Sequence, residues 1–196
     1  MNMKLLSIHG IVIFLALGIL SCTNKQSNND SSSSAQQMPE ANASLGEDYV
    51  MQLYANYVQE PKLQAHKDEN IIIDYILGQD IAYQRSNSGL YYAILEIGEG
   101  NTYNHGEPCS AHYQGYFLDG RVFDSSIEKG KPLNFRVGQM VAGWNEALKL
   151  LTPGSQAKLI LPSALAYGDR GFPGYVPPNS VIAFDLQTLE LTTADQ

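Results

Sequence analysis

The hydrophobic periodicity of the chain changes near Gly89, and this change constrains the fold more than any other feature. Before Gly89, apolar residues recur every three to four positions, which is typical of amphipathic helices. After it, apolar and polar residues alternate over short runs separated by turns, which is typical of strands. One helical stretch, residues 140–151, interrupts the second part. The pattern predicts an α+β domain in which an antiparallel sheet folds over one short α-helix, preceded by a small α-helical hairpin.

Two amphipathic helices are predicted before the change of period. In the first helix, apolar pairs recur every four positions: Tyr49/Val50, Leu53/Tyr54 and Tyr57/Val58. The motif Ser44-Leu45-Gly46-Glu47 has the form of a capping box, and Pro61 predicts the end of the helix. A second helix is predicted from about Asp68 toward Ala82. Such a hairpin needs a surface to pack on, so we expect it either to dock on the following domain or to form a homodimer through residues 44–83.

Short strands account for most of the remaining chain. Asp119-Gly120 is a strong signal for a tight hairpin turn, and a long Gly- and Pro-rich loop follows at Tyr167–Ser180. We therefore predict a folded domain over residues 88–192 and a helical appendage over residues 44–87. The predicted strands are residues 90–97, 110–118, 121–123, 133–137, 157–161 and 181–191.

The N-terminus has the pattern of a bacterial lipoprotein signal. A continuous apolar run, residues 11–20, is too short for a stable membrane-spanning helix. It ends in Ser21-Cys22, which resembles a lipobox, so we expect residues 1–21 to be a signal peptide and Cys22 to be lipidated. Residues 22–43 are polar and rich in Ser, Asn and Gln, and this composition predicts a flexible tether.

A lipid on Cys22 has consequences for location and for disulfides. The chain is expected to be an exported bacterial lipoprotein that is membrane-anchored through Cys22. Thr23 follows the cysteine instead of the Asp that retains many lipoproteins in the inner membrane, so the outer membrane is favoured. Cys109 is the only other cysteine, and we expect it to be buried as a small hydrophobic residue rather than paired or reactive.

Charge and motifs exclude several classes of function. The net charge is −8 and there is no cluster of Lys and Arg, so nucleic acid is not an expected partner. The sequence has no Walker-type loop, no dinucleotide-binding fingerprint and no Cys/His metal spacing, and its four histidines lack ligand spacing. We therefore expect neither a cofactor nor a metal.

Several motifs, in one order over about half the chain, resemble the FKBP-type peptidyl-prolyl cis-trans isomerases. The family's fold, an antiparallel sheet curled around one short helix, agrees with the pattern of periodicity. The motifs are His112-Tyr113-Gln114-Gly115, Asp119–Ser126, Gly138 with Val141-Ala142-Gly143-Trp144, Ala166-Tyr167-Gly168, Pro173-Gly174 with Pro177-Pro178, and Phe184-Asp185-Leu186.

The resemblance implies an apolar pocket for the proline of a polypeptide substrate. The backbone N–H of Val141 would bond a substrate carbonyl, and Asp124 and Tyr167 would supply polar contacts. The implied catalytic residues are Tyr113, Phe123, Asp124, Val141, Trp144, Tyr167 and Phe184. The implied substrate-binding residues are Leu133, Met140, Phe172, Tyr175 and Val176.

Three of these positions depart from the commonest family pattern. Leu133 stands where an aromatic wall residue is usual, Phe172 where His is common, and Tyr175 where an aliphatic residue is common. The rim of the pocket is therefore rebuilt, which affects substrate preference more than activity.

The implied reaction is isomerisation of X–Pro bonds, which would aid the folding of exported proteins. Rotation about an amide breaks its resonance against a barrier of about 18–20 kcal/mol, but no covalent bond is made. An apolar aromatic pocket favours the twisted, less polar transition state. The alternative function is a non-catalytic peptide-binding or chaperone module with the same pocket. From residue type alone, Phe123, Trp144 and Phe184 could also be ordinary core side chains, and Asp124 could cap its turn.

Overall fold

The structure, a computed structural model, describes residues 45–190. Residues 1–21, Cys22, the tether 22–43, Ser44 and the end of the last predicted strand lie outside the described residues. The helices are α1 (Glu47–Tyr54), α2 (Gln64–Leu77) and α3 (Ala142–Ala147), with a 3-10 helix at Ser163–Leu165. The strands are β1 (Gln84–Arg85), β2 (Tyr91–Glu96), β3 (Pro108–Phe117), β4 (Val122–Ser125), β5 (Leu133–Arg136), β6 (Gln156–Leu161) and β7 (Ile182–Leu189). No helix within 45–190 is long and apolar enough to cross a membrane.

The strands form one antiparallel sheet in the order β1-β2-β6-β7-β3-β4, and β5 also pairs with β3. β7 lies between β6 and β3, with Phe184 opposite both Leu159 of β6 and Gly115 of β3. This places the middle of β7 at the centre of the sheet. The predicted α+β class, an antiparallel sheet curled around one short helix and preceded by a helical region, is confirmed.

Strand alternation divides the buried side chains between the two faces of the sheet. The inner cluster lies against α3 and includes Tyr113, Trp144, Leu159, Leu161, Ile182, Phe184 and Leu186. The outer cluster lies against α1 and α2 and includes Val50, Leu53, Ile72, Ile73, Ile76, Tyr83, Tyr91, Ala93, Ile160 and Ala183. The sheet is therefore covered by α3 on one face and by the helical hairpin on the other.

The hairpin is fixed to the sheet by hydrogen bonds as well as by apolar contacts. The Tyr49 hydroxyl accepts the N–H of Tyr83 at 2.7 Å and donates to the Tyr83 carbonyl at 3.0 Å. Asn70 of α2 pairs with the backbone of Val58 at 2.9 and 2.8 Å, which holds the connection between the two helices. Of the two expected arrangements for the hairpin, the structure shows docking on the following domain.

The helix boundaries differ from the predicted ones. α1 begins at Glu47 with Gly46 as its N-cap, two residues after the predicted N-cap Ser44, which lies outside the described residues. α1 also ends at Tyr54, well before Pro61, because the chain leaves the helix to meet Asn70. α2 begins four residues before Asp68 and ends at Leu77, with Gly78 as its C-cap.

The third helix is shorter than the predicted 140–151. It ends at Ala147, and the amides of Lys149, Leu150 and Leu151 bond three residues back, so the last turn tightens. Leu148 and Leu151 are nevertheless buried, which explains why the apolar pattern continued past the helix end.

Cys109 lies in β3 and is 1% exposed. Burial raises the pKa of its thiol to about 11. A thiol with this pKa is almost entirely protonated at neutral pH, so Cys109 is unreactive as a nucleophile in the folded protein.

Candidate functional site

Four aromatic rings from different elements meet on the inner face of the sheet. The Trp144 ring of α3 contacts Tyr113 at 5.3 Å and Phe184 at 5.2 Å between centroids, both edge to face. Phe123 of β4 meets Phe184 edge to face at 5.8 Å. Edge-to-face contacts of this kind place the positive ring edge against the negative face and hold each ring in one orientation.

A glycine makes room for two of these rings. Gly115 lies opposite Phe184 on β7 and opposite Asp124 on β4. A Cβ at Gly115 would lie 2.7 Å from Phe123 Cζ and 2.7 Å from Phe184 Cε1, closer than real Cβ contacts come. The two rings therefore occupy the space above the backbone of β3, and only glycine fits beneath them.

The backbone entering α3 is held by Asn145. Its side chain accepts the N–H of Gly138 at 2.8 Å and donates to the carbonyl of Met140 at 2.5 Å. Val141 is the N-cap, and its carbonyl accepts the amides of Trp144 and Asn145. Within the described residues the N–H of Val141 has no acceptor, so it remains available to a ligand beside the rings.

A charged network borders the rings. The Tyr113 hydroxyl donates to Asp124 Oδ2 at 2.7 Å, and Lys129 forms an ion pair with Asp124 Oδ1. Partial burial works to raise the pKa of Asp124, but the hydrogen bonds from Lys129 and Tyr113 outweigh it and lower the pKa below its usual value. Burial, together with the bond to Asp124, raises the pKa of Tyr113. Asp124 is therefore a carboxylate at neutral pH, and Tyr113 is its neutral donor.

Replacing Lys129 with methionine is expected to raise the pKa of Asp124, because the variant loses the main interaction that favours the carboxylate. The depressed pKa of the folded state contributes stability that is present above the unfolded pKa of about 3.9 and is lost as the pH falls through the folded pKa. Wild type and variant should thus differ in stability at neutral pH and converge in acid. A carboxyl NMR titration of Asp124 measures the shift directly.

Lys131→Met is the matched control, because Lys131 is exposed and forms no ion pair within residues 45–190. An unchanged Asp124 midpoint in Lys129→Met, or an equal shift in Lys131→Met, would show that the ion pair does not set the ionisation of Asp124.

The long loop carries a ladder of three stacked rings. Tyr167 stacks on Phe172 at 5.3 Å, and Phe172 stacks on Tyr175 at 4.9 Å, with interplanar angles of 14° and 18°. The tip is closed by paired backbone bonds between Phe172 and Val176 at 2.7 and 2.8 Å. Tyr167 is half-buried against the inner cluster, whereas Phe172 and Tyr175 are exposed. The ladder therefore leads from the buried rings to the protein surface.

The structure brings most of the sequence-predicted residues together. Tyr113, Trp144, Val176 and Phe184 are buried in the inner cluster, and Phe123, Leu133, Met140, Val141 and Tyr167 pack against it half-buried. Asp124 reaches this group through Tyr113. Phe172 and Tyr175 lie outside the cluster and are joined to it by the stacking on Tyr167 and by the backbone bonds between Phe172 and Val176.

Sequence reasoning missed three residues that touch the site. Lys129 pairs with Asp124, Phe117 packs on Phe123 at 5.4 Å, and Phe135 meets Trp144 at 5.8 Å. Phe117 could have been found, since it shares the face of Tyr113 and Gly115 by strand alternation. Phe135 could likewise have been found two residues after Leu133. Lys129 had no such signal, because it lies on an irregular turn.

The site can bind an apolar, ring-shaped group. Its walls are aromatic, and its polar groups are the Asp124 carboxylate, the Tyr113 and Tyr167 hydroxyls and the N–H of Val141. Among residues 45–190, no cluster of three or more His, Cys, Asp or Glu side chains is placed to hold a metal ion. The arrangement therefore offers shape and hydrogen bonds to a ligand.

Comparison with known proteins agrees with this geometry. Residues 100–189 match the family model described as FKBP-type peptidyl-prolyl cis-trans isomerase. The chain is 39% identical over 109 residues to the FKBP-type peptidyl-prolyl cis-trans isomerase FkpA of Escherichia coli K12, covering 56% of this chain and 40% of FkpA. It is 44% identical over 101 residues to FK506-binding protein 1 of Debaryomyces hansenii, covering 50% of this chain and 90% of that protein.

Solved structures of FKBP-type proteins also match this chain. The crystal structure of FkpA from Escherichia coli matches with a TM-score of 0.58 and 34% identity, covering 64% of this chain and 60% of that one. The crystal structure of AtFKBP13 matches with a TM-score of 0.55 and 34% identity, covering 57% of this chain and all of that one. The sequence match thus spans 40% of FkpA and the structural match 60% of its chain, whereas the matches span nearly the whole of the shorter relatives. The chain belongs to the FKBP-type peptidyl-prolyl cis-trans isomerase family.

Proposed function

We propose that this protein is a peptidyl-prolyl cis-trans isomerase that acts on X–Pro bonds of polypeptides. The observation that carries the proposal is the cluster of edge-to-face rings formed by Tyr113, Phe123, Trp144 and Phe184, with the N–H of Val141 beside it. Family membership supports the activity.

The pocket suits a reaction that needs no nucleophile. Twisting the X–Pro amide removes its resonance and reduces its charge separation, so an apolar pocket favours the twisted state over the hydrated planar one. The N–H of Val141 would fix the substrate carbonyl, which adds orientation. Asp124 is held as a carboxylate by Lys129 and Tyr113, so we assign it an electrostatic and positioning role rather than that of a general base.

The test is a protease-free isomerisation assay on an Ala-Leu-Pro-Phe peptide. The purified protein should accelerate the reaction, and Phe123→Ala should reduce kcat/KM at least about tenfold, which corresponds to about 1.4 kcal/mol of lost transition-state contact. Ile97→Ala is the control, because Ile97 is 67% exposed and lies outside the inner cluster. A folded wild-type protein without acceleration would rule out the activity.

The second candidate function is a peptide-binding or chaperone module without significant turnover. The exposed rings of Phe172 and Tyr175 favour it, since they offer apolar surface outside the pocket. Peptide binding that persists in Phe123→Ala but is lost in Phe172→Ala, together with absent catalysis, would support this function over the first.

We propose that the substrates are exported proteins and that the protein is an outer-membrane lipoprotein anchored through Cys22. The signal-like residues 1–21 and the lipobox motif support this proposal. Mass spectrometry of the mature N-terminus should find Cys22 as the first residue with diacylglycerol attached. An unmodified Cys22 in the mature protein would contradict the anchor.

A homodimer through residues 44–83 stays a prediction. The tyrosines that motivated it are partly used within the chain, since Tyr49, Tyr54 and Tyr57 pack against the outer cluster. Met51, Leu63 and Ile71 are the large apolar side chains that this segment still exposes. A monomeric mass by sedimentation at high concentration would exclude the dimer.

A further inference from the structure

A buried carboxylate of the helical hairpin reaches the loop that carries Tyr167. Asp68 is 1% exposed, although aspartate is among the residues least often buried. Its Oδ2 accepts the N–H of Ser163 at 2.8 Å and the hydroxyl of Ser163 at 2.6 Å. Its Oδ1 accepts Gln64 Nε2 at 2.7 Å. Two of the three bonds thus cross from α2 to the 3-10 helix, over a sequence separation of 95 residues.

Ser163 connects Asp68 to the backbone around Tyr167. Its carbonyl accepts the N–H of Ala166 at 3.0 Å and the N–H of Gly168 at 2.8 Å, the two residues on either side of Tyr167. The Gly168 carbonyl in turn accepts the N–H of Asn179 at 2.8 Å, which joins the start of the loop to its end. Ser163 therefore binds the Asp68 carboxylate with its N–H and hydroxyl, and the backbone around Tyr167 with its carbonyl.

The hydrogen bonds between Asp68 and Ser163 are suited to fixing the position of the 3-10 helix. A buried carboxylate is costly unless it is fully hydrogen-bonded, and an apolar side chain would fill the same helix face as Ile72, Ile73 and Ile76 do. Charge-assisted bonds are short and directional, so they fix the position of the group they bind. An apolar contact would let the 3-10 helix slide on α2.

We propose that Asp68 is a positioning residue for the proline pocket: through Ser163 it fixes the backbone on both sides of Tyr167. The helical hairpin then acts on the reaction by holding one wall of the pocket in place. The expected effect of Asp68 on kcat/KM rests on the proposed isomerase function. Its expected effect on the loop around Tyr167 rests on the hydrogen-bond geometry alone.

Glu69 supplies the comparison within the same helix. It is 9% exposed, and its carboxylate binds Arg85 at 2.7 and 3.1 Å and the hydroxyl of Tyr91 at 2.7 Å. These partners lie on β1 and β2, and neither of them bonds to Ser163, Ala166 or Gly168. Glu69 thus also ties α2 to the sheet, and its loss should weaken the docking of the hairpin without reaching Tyr167.

The experiment compares Asp68→Asn with Glu69→Gln in the full chain by amide hydrogen exchange and by peptide isomerisation. Asp68→Asn should speed exchange at Ala166 and Gly168 at least about tenfold relative to amides in β6 and β7, and should reduce kcat/KM by a similar factor. Glu69→Gln should leave both loop amides and kcat/KM within about twofold of wild type. Ser163→Ala should act in the same direction as Asp68→Asn, and the double variant should be no worse than Asp68→Asn alone.

The outcomes separate this inference from the proposed function. If wild type lacks isomerase activity, the function fails, yet the exchange comparison still decides whether Asp68 holds the loop. Unchanged exchange at Ala166 and Gly168 in a folded Asp68→Asn protein would overturn the inference. So would exchange that rises equally across the whole sheet, because that would show general destabilisation. If Asp68→Asn does not fold, Ser163→Ala is tested instead. Unchanged exchange at Ala166 and Gly168, or exchange that rises equally across the sheet, would then overturn the inference.

Discussion

Replacing Gly115 with alanine is expected to reduce kcat/KM for a proline peptide at least about tenfold while the sheet stays folded. The added Cβ would lie 2.7 Å from Phe123 Cζ and 2.7 Å from Phe184 Cε1. Both rings would have to move, and adding a methyl group to a packed site costs about 1–3 kcal/mol. Because these rings form the proposed proline pocket, a displacement that costs about 1.4 kcal/mol of transition-state binding would already lower the rate tenfold.

Two measurements distinguish damage to the pocket from damage to the fold. Gly120→Ala is the control, since Gly120 has φ +89° and open space around its Cβ position, so alanine there is strained but touches no ring. Trp144 is the only tryptophan in the chain and contacts Tyr113 and Phe184, so its fluorescence reports on the pocket. Trp144 fluorescence and kcat/KM should both change in Gly115→Ala. Neither should change in Gly120→Ala. Wild-type kcat/KM in Gly115→Ala would show that the proline binds elsewhere.

Replacing Ile73 with alanine is expected to lower the free energy of unfolding by about 2–5 kcal/mol. Ile73 is 0% exposed in the outer cluster, where α2 packs on Tyr91 and Ile160. The substitution leaves a cavity between α2 and the sheet. If the surrounding side chains cannot close this cavity, the loss of stability should lie in the upper part of that range. Denaturant unfolding, followed in parallel by helical circular dichroism and Trp144 fluorescence, measures it.

Ile71 provides a matched control on the same helix. It is 47% exposed, so Ile71→Ala removes the same atoms from a largely hydrated position and should cost less than about 1 kcal/mol. Because the outer cluster joins the hairpin to the sheet, both probes should give one coincident transition in all three proteins. An earlier loss of helical signal with unchanged Trp144 fluorescence would show that the hairpin unfolds independently.

The parts of the fold that follow from local alternation could be predicted from the sequence. β2, β3, β6 and β7 lie within two residues of their predicted limits, since each has one apolar face. The aromatic pocket followed from the family motifs, and its members do meet on one face of the sheet.

What could not be predicted depends on contacts between residues far apart in the chain. Asp68 is buried and Asp124 is half-buried, and nothing in their local sequence indicates that Ser163 and Lys129 are their partners. The sequence predicts the start of the second helix near Asp68, whereas Asp68 lies inside α2 with its side chain bonded across to the 3-10 helix. The stacking of Phe172 on Tyr167 likewise depends on how the loop folds back, which composition does not encode.

The position of β7 has a consequence for the order in which the protein can acquire its structure. Among residues 45–190, β7 is the last strand, yet it lies between β6 and β3 and is the only strand that joins β1, β2 and β6 to β3, β4 and β5. During synthesis the two halves of the sheet therefore remain unconnected until Ile182–Leu189 has left the ribosome. Folding that waits for such distant pairing is slow, and it leaves the earlier strands with open edges in the meantime. A ribosome-stalled chain ending before residue 182 should stay sensitive to protease throughout, and full protection should be acquired in one step when β7 is added.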